Sequence, residues 1–451
     1  GISAARAAAM HHKTVALVNR QTELGGAGIN TGTLPSKTLR ETALALSGVA
    51  ARNLTGLDVT LRREATVADF LHHEQNVKAG FNASLAQWTE ALKIDLFPGM
   101  AAFENSNSVR VSRQAGDELT LQGEKILIAT GSSPLRPPAF PFGQPHVYDS
   151  DTILNLDRLP KSMAVAGAGV IGSEYACIFA ALGVQVHLID GRDTLLPFLD
   201  SEVSRALAEA MVRNGISLHR SERIQECAAT DPNRIVLKLS SGLELAVDAV
   251  LVAAGRKSNT AELNLPAAGV TPGERGLIRV DEHYRTSVPN IYAAGDVIGF
   301  PALASTSLEQ GYRAMCHAFG LGAPAGLPSI LPTGVYTIPE VSMVGETEET
   351  LKKQGVDYVV GRAPYGNVVR GRIIGDTHGF IKLLFRRSDL KLLGVHVLGE
   401  HATELVHVGL IAMLAGGTAR MFDEACFNIP TLSELYKFAA RTVLLQQTIK
   451  A

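Results

Sequence analysis

Cysteine is too sparse and too scattered in this sequence to build a metal centre or a disulfide framework. Its four cysteines, Cys177, Cys227, Cys316 and Cys426, form no CxxC pair and have no histidine at ligand spacing. They read as buried thiols in a reducing compartment, with no metal implied. A basic excess is missing too: 42 Lys and Arg face 44 Asp and Glu, a net charge of -2. With no basic run to neutralise phosphates, nucleic acids and membrane surfaces are excluded as partners. Long apolar runs are also absent, since "LVHVGLIAMLAGG" is broken by His407 and is too short to span a bilayer. No secretory signal is present. The opening "GISAARAAAMHHK" has the Ala- and Arg-rich, acid-free composition that transit peptides share, but its continuation into "TVALV" reads as a helix followed by a strand. These absences leave a cytoplasmic globular protein. Its 451 residues, 46% of them hydrophobic, predict several domains with well-filled interiors.

Two strand-to-helix cassettes organise the first two-thirds. The complete one is "MAVAGAGVIGSEYACIFAALGVQVHLID", residues 163–190. A strand runs into Gly167, Gly169 and Gly172, a helix beginning with Val170 and Ile171 runs to about Leu182, and a second strand ends in Asp190. A GxGxxG between strand and helix, with an acid about 20 residues on, is the dinucleotide fingerprint. The pyrophosphate is expected on the helix N-terminus, where free N–H groups and the helix dipole favour an anion. The other cassette, "GISAARAAAMHHKTVALVNR", reads as the second half of the same unit, with Gly1 in the place of the third glycine.

"KILIATGSSP" and "AVLVAAGRKSN" are buried strands running into glycine turns at matching places after the two cassettes. "IYAAGDVIG" places Asp296 at a strand end, where ligands bind in open α/β sheets. "GGAGINTGTLPSKTLRE" is a loop feeding a helix, in which Gly25 and Gly26 let backbone approach a ligand and Lys37 is a conspicuous cation. From about Leu331 the texture changes to short alternating strands, a hairpin over "GFIKLLFRRSDLKLLGVHVLG" and the helical "EHATELVHVGLIAML", with no nucleotide loop. An α+β domain of that kind is most economically an interface domain.

Six motifs in order, "GGAGINTGTLPSKTLRE", "ILIATGSSP", "VAGAGVIGSEYA", "TSVPNIYAAGD", "YTIPEVSMVG" and "LLGVHVLGEHATELVH", resemble the flavoprotein disulfide reductase superfamily. The stretches "LIDGRDTLLPFLD" and "FNIPTLSELYK" are most similar to those members that exchange hydride between pyridine nucleotides. The resemblance implies an α/β fold with two related three-layer Rossmann-like nucleotide domains and a C-terminal α+β dimerisation domain. The FAD-binding domain is expected over 1–150 and 271–327, the NAD(P)-binding domain over 151–270 and the dimerisation domain over 328–451. A homodimer or larger homo-oligomer follows. In dithiol members the glycine loop carries two cysteines and a histidine precedes a C-terminal Pro-Thr pair; here those places hold Gly28, Thr33 and Ile429. A thiol nucleophile and its base are therefore missing. What remains is a ping-pong hydride exchange through FAD, NADPH + NAD+ = NADP+ + NADH. A diaphorase or oxidase, a dihydrolipoamide dehydrogenase-like flavoprotein and a non-catalytic scaffold are the alternatives.

By the same resemblance, Lys37 lies near flavin N5 paired to Glu174, and Asp296 binds the ribityl chain. Ala302, Leu303 and Ala304 bring helix N–H groups to the pyrimidine edge, while Ala129, Gly131 and Gly255 line cofactor turns. Asn19 stands where the family uses an acid for the adenosine ribose, and keeps the hydrogen bond without the charge. Asp190 is expected to accept from the ribose of NAD and Arg192 to pair with the 2′-phosphate of NADP, which permits use of both. With Gly1 in the fingerprint, a first strand and two glycines are expected ahead of it, and the chain as written is expected to hold FAD weakly.

Overall fold

The structure is a computed structural model and describes residues 1–47, 66–113, 116–231, 234–322 and 324–450. The described residues fall into two compact units. The first takes Gly1–Thr38, Leu71–Leu135 and Gly255–Pro328, and the second Leu39–Phe70, Arg136–Ala254 and Ser329–Ala451.

In the first unit, the Ala-rich opening does form a helix, Ile2–Met10, followed by the strand Ala16–Asn19. Small residues let that helix lie close against the helix Ala304–Ala318, where Ala4 faces Gly311. Ala4 and Ala7 are buried there with Tyr284, Tyr292, Ala314 and Met315. The parallel strands come as two pairs, Ala16–Asn19 with Asp95–Pro98 and Ile126–Ile128 with Ile291–Ala293. An antiparallel sheet of Met100–Phe103, Ser108–Ser112 and Glu118–Gln122 completes the unit.

The second unit holds a five-stranded parallel sheet in the order Ile216–Arg220, Gln185–Asp190, Ser162–Ala166, Ala249–Val252, Val147–Asp149. Its central strand is covered on both faces, so Met163, Ala164 and Val165 are fully buried, as expected of a parallel sheet. Val147–Asp149 was assigned by sequence to the first domain, yet it pairs with Ala249–Val252 here. Residues 255–270, assigned to the second domain, cluster with the first unit. Short connecting strands carry no signal of their own for which sheet they join.

The C-terminal part of this unit is an antiparallel sheet ordered Thr333–Val335, Val341–Gly345, Leu392–Leu398, Phe380–Arg386, Tyr358–Pro364. The expected hairpin is Phe380–Arg386 with Leu392–Leu398. Ile381, Leu383, Phe385, Val395 and Val397 share a core with residues of the helices Ala402–Leu414 and Glu434–Lys450. Among the described residues no helix is long and apolar enough to cross a membrane.

Opposite that core, register aligns Arg362, Lys382 and His396 across three neighbouring strands. The Lys382 side chain is 1% exposed, a position that a charge tolerates only with partners. Its ammonium donates to Asp200 at 2.7 Å and lies 2.9 Å from Glu202 and 2.5 Å from Glu348. Asp200 also caps the helix Ser201–Arg213 and accepts the first N–H of the helix Glu348–Gln354. Burial opposes the Glu202 carboxylate, but hydrogen bonds from Arg362 and Lys382 outweigh it and hold that group at about 2.

Two consequences are measurable by urea and acid unfolding. Lys382→Met leaves three carboxylates without their central cation, and breaking such a buried pair costs about 3–5 kcal/mol, seen as a lower urea midpoint. Glu202 has a depressed pKa, so its contribution is present above the unfolded value of about 4.3 and is lost as pH falls toward about 2. An unchanged midpoint in Lys382→Met would show that the cluster holds nothing together.

Candidate functional site

The second unit builds a dinucleotide turn from its central strand. After Ser162–Ala166 the chain turns at Gly167 with φ +105°, a conformation that L side chains rarely adopt. A Cβ on Gly167 would stand 2.5 Å from the carbonyl oxygen of Ala253. One on Gly172 would collide with the carbonyl oxygen of Gly167 and come within 3.3 Å of the Ala253 methyl. Strand, turn and helix are thus in backbone contact at these two glycines. Gly169 caps the helix Val170–Ala181 without a side-chain hydrogen bond, and open space surrounds the place of its missing Cβ. The N–H groups of Val170 and Ile171 therefore begin a helix with room for an anion at its end.

Asp190 closes the next strand, as expected. Its carboxylate accepts the backbone N–H of Ala168 at 2.6 Å, which ties the acid to the glycine turn. It also accepts the Arg192 backbone N–H at 2.8 Å and the Arg192 guanidinium at 2.8 and 2.7 Å. Burial opposes the Asp190 charge, but these bonds outweigh it and keep the carboxyl below the usual range, while Arg192 is raised.

Glu174, in the second turn of the same helix, is buried and accepts the backbone N–H of Tyr336 at 2.9 Å. One turn on, burial pushes the Cys177 thiol up to about 12, far from thiolate chemistry at neutral pH. Cys227 is likewise pushed up to about 11 by burial, and Cys316 is buried. Cys426 corrects the expectation of four buried thiols, because it is exposed. It follows the short helix Ala419–Glu424, and nothing in a lone cysteine's sequence context reports burial.

The first unit gathers the residues expected to serve FAD. Gly25 and Gly26 have φ of +92° and +59° and open the short helix Gly26–Asn30. Asn30 pins that loop, donating to the carbonyl of Leu24 at 2.8 Å and accepting from Asn82 at 2.9 Å. Open space stands where side chains at Gly26, Gly28 and Gly131 would be, a cradle that a Cβ would enter. Gly1 caps the first helix, and a Cβ there would meet the methyl of Ala129 at 3.5 Å. Asn19 spends both amide protons on the carbonyls of Gln21 and Glu23, at 2.7 and 2.9 Å. Its oxygen is thereby oriented as an acceptor, the role a ribose hydroxyl needs.

Lys37 lies in the second turn of the helix Thr33–Ser47, with its ammonium 3.3 Å from the Ser36 hydroxyl. Asp296 opens a 3-10 turn rather than capping a helix, and accepts the Ser132 hydroxyl at 2.6 Å. Ser132 in turn accepts from Arg256 Nε at 2.8 Å, while Arg256 Nη2 reaches the Ser132 carbonyl at 2.7 Å. Neither Ser132 nor Arg256 is among the sequence-predicted site residues. The signal was present, since they lie in the two matching glycine turns, "TGSSP" and "AAGRKSN", which pair antiparallel. Gly255, at φ +106°, precedes that pair and accepts the Leu135 N–H. Ala302 and Leu303 lead into the helix Ala304–Ala318, where the Thr306 hydroxyl accepts the Leu303 N–H at 3.3 Å. This donor and acceptor set, with open space at its glycine turns, fits a flavin dinucleotide.

Comparison with known proteins agrees with both halves. Residues 1–311 match the pyridine nucleotide-disulphide oxidoreductase family and 331–440 match its dimerisation domain. The chain is 44% identical over 447 residues to the soluble pyridine nucleotide transhydrogenase of Mycobacterium tuberculosis, covering 98% of this chain and 95% of that one. It is 38% identical over 443 residues to the protein of that name from Colwellia psychrerythraea, with 98% and 95% covered. Among solved structures, LpdA from Mycobacterium tuberculosis superposes with a TM-score of 0.90 at 25% identity, over 98% of this chain and 97% of that one. The HOCl-induced flavoprotein disulfide reductase RclA from Escherichia coli gives 0.89 at 27% identity, over 98% and 97%. Matched over nearly its whole length, the chain belongs to the pyridine nucleotide-disulphide oxidoreductase family, among the soluble pyridine nucleotide transhydrogenases.

Proposed function

We propose that this chain is a cytoplasmic, homodimeric NAD(P)+ transhydrogenase that works without a redox dithiol. Asn19, Asp296 and the glycine turns of the first unit would hold FAD, which would supply hydride exchange between NADPH and NAD+ in a ping-pong sequence. The observation that carries the reading is the glycine loop itself. It is built and pinned as a cofactor cradle, yet Gly28 and Thr33 occupy the places of the two cysteines.

The chain's own residues then bind, orient and supply charge. The turn Gly167–Gly172 and the helix behind it take the nicotinamide dinucleotide's pyrophosphate, and Asp190 with Arg192 takes its adenosine end. Asp296 is held by Ser132, which Arg256 fixes from behind; this chain of donors sets the direction in which the carboxylate can accept. Lys37 contributes a positive charge held in the second turn of a helix. A fixed charge next to the place where negative charge develops needs no reorganisation during the reaction. Support for the second copy comes from the C-terminal part, which matches a dimerisation domain over residues 331–440 and leaves Ile373, Ile411, Leu414 and Ile429 exposed.

Lys37→Ala is expected to retain FAD but to slow its reduction by NADPH by on the order of 10²-fold, the usual effect of losing one electrostatic stabiliser. Stopped-flow absorbance at the flavin band measures this, and an unchanged rate with FAD bound would remove Lys37 from the reaction. Gly172→Ala tests the other half. Its methyl meets backbone that must shift to admit it, so overpacking of about 1–3 kcal/mol is expected. NAD(P) binding should fall while FAD content stays, as read by equilibrium titration of the two nucleotides.

A further inference from the structure

Asp190 and Arg192 are joined more completely than a surface ion pair requires. Oδ1 of Asp190 accepts the Arg192 backbone N–H and Nε, each at 2.8 Å. Oδ2 accepts the Ala168 N–H at 2.6 Å and Arg192 Nη2 at 2.7 Å. A carboxylate offers about four lone-pair sites, so its accepting capacity is full. Two of the four donors are backbone and stay in place. The Arg192 backbone is held by the segment after the strand Ile216–Arg220, because Glu222 N–H donates to the Asp190 carbonyl and Ser221 N–H to the Arg192 carbonyl. The other two donors are on the Arg192 guanidinium. The Asp190 side chain is 11% exposed and that of Arg192 is 49% exposed, so the movable partner is the one on the solvent side.

The two nicotinamide dinucleotides make opposite demands on such a pair. The ribose hydroxyls of NAD must donate to the carboxylate, which has no accepting site until the guanidinium leaves. The 2′-phosphate of NADP needs the guanidinium and is repelled by the carboxylate. A second cation stands beside the turn: the exposed Arg223 side chain lies across Gly191, with Nε 3.2 Å from where a Cβ would be.

We propose that Arg192 is a latch over Asp190 that NAD must displace and that NADP draws onto its own 2′-phosphate, with Arg223 as a second phosphate ligand. This rests on reading Gly167–Asp190 as the dinucleotide site. Arg192 therefore acts on the two nucleotides with opposite sign, and Arg223 acts on one of them. A plain phosphate ligand at 192 would weaken NADP and leave NAD unchanged. A turn residue would move both together.

The test is calorimetric titration of the FAD-loaded protein with NAD+ and with NADP+, so it does not depend on turnover. In Arg192→Ala, NAD+ should bind about fivefold more tightly, because an exposed ion pair of modest strength no longer competes. NADP+ should bind at least about tenfold more weakly, from loss of a charge-assisted contact. Arg223→Ala should weaken NADP+ by about threefold or more and leave NAD+ within error. Arg192→Lys keeps the charge but cannot present the two-pronged fork; it should gain affinity for NAD+ and retain most of its affinity for NADP+. Unchanged or weaker NAD+ binding in Arg192→Ala, with circular dichroism as in the parent, overturns the latch. A parent protein that binds neither nucleotide overturns the dinucleotide reading instead, and the latch with it.

Discussion

The second unit depends on one close approach: the backbone of the helix Val170–Ala181 touches the turn that leads into it, with no room for a side chain at Gly172. That contact brings the helix end down to the level of the strand ends. It also lets the N–H of Ala168 reach Asp190 on the neighbouring strand. The acid at the end of one strand is thereby oriented by the glycine turn at the end of the other. A larger residue at 172 would lift the helix and detach both at once. The buried, fully covered strand Ser162–Ala166 makes this feasible, because it gives the turn a base that does not shift.

Much of this was legible in the sequence because it is local. The fingerprint spans fewer than thirty residues, and each of its parts has a stated reason to be glycine, small or acidic. Strand and helix limits around Gly167–Asp190 follow the expected pattern closely. The same holds for the hairpin around "RRSDLK", where alternation of apolar residues sets the register. The family resemblance added what spacing could not: which loop carries Lys37 and why the missing cysteines matter.

What stayed hidden depends on residues far apart in the chain. Lys382 looks like a solvated lysine in "GFIKLLF", since only cross-strand register sets it beside Arg362 and His396 and opposite three carboxylates. Asp200 looks like a simple helix cap and also closes a second helix end almost 150 residues away. Ser132 and Arg256 are ordinary turn residues until the strands Ser132–Pro134 and Arg256–Ser258 pair. The strand Val147–Asp149 likewise has no local feature that tells which sheet accepts it.

Two saturated ion pairs in the second unit show how surroundings, rather than residue type, decide what a charge does. Lys382 uses three donors on three carboxylates at 1% exposure, so opening it would leave charges where water cannot reach them. Arg192 and Asp190 are as well matched in hydrogen bonds, yet the guanidinium is 49% exposed and regains hydration as it turns away. The bond distances overlap, 2.5–2.9 Å around Lys382 and 2.7–2.8 Å between Arg192 and Asp190. Only the return of solvent differs, and it makes the first pair a fixed joint between helix caps and sheet, and the second a contact that a competing anion can take apart.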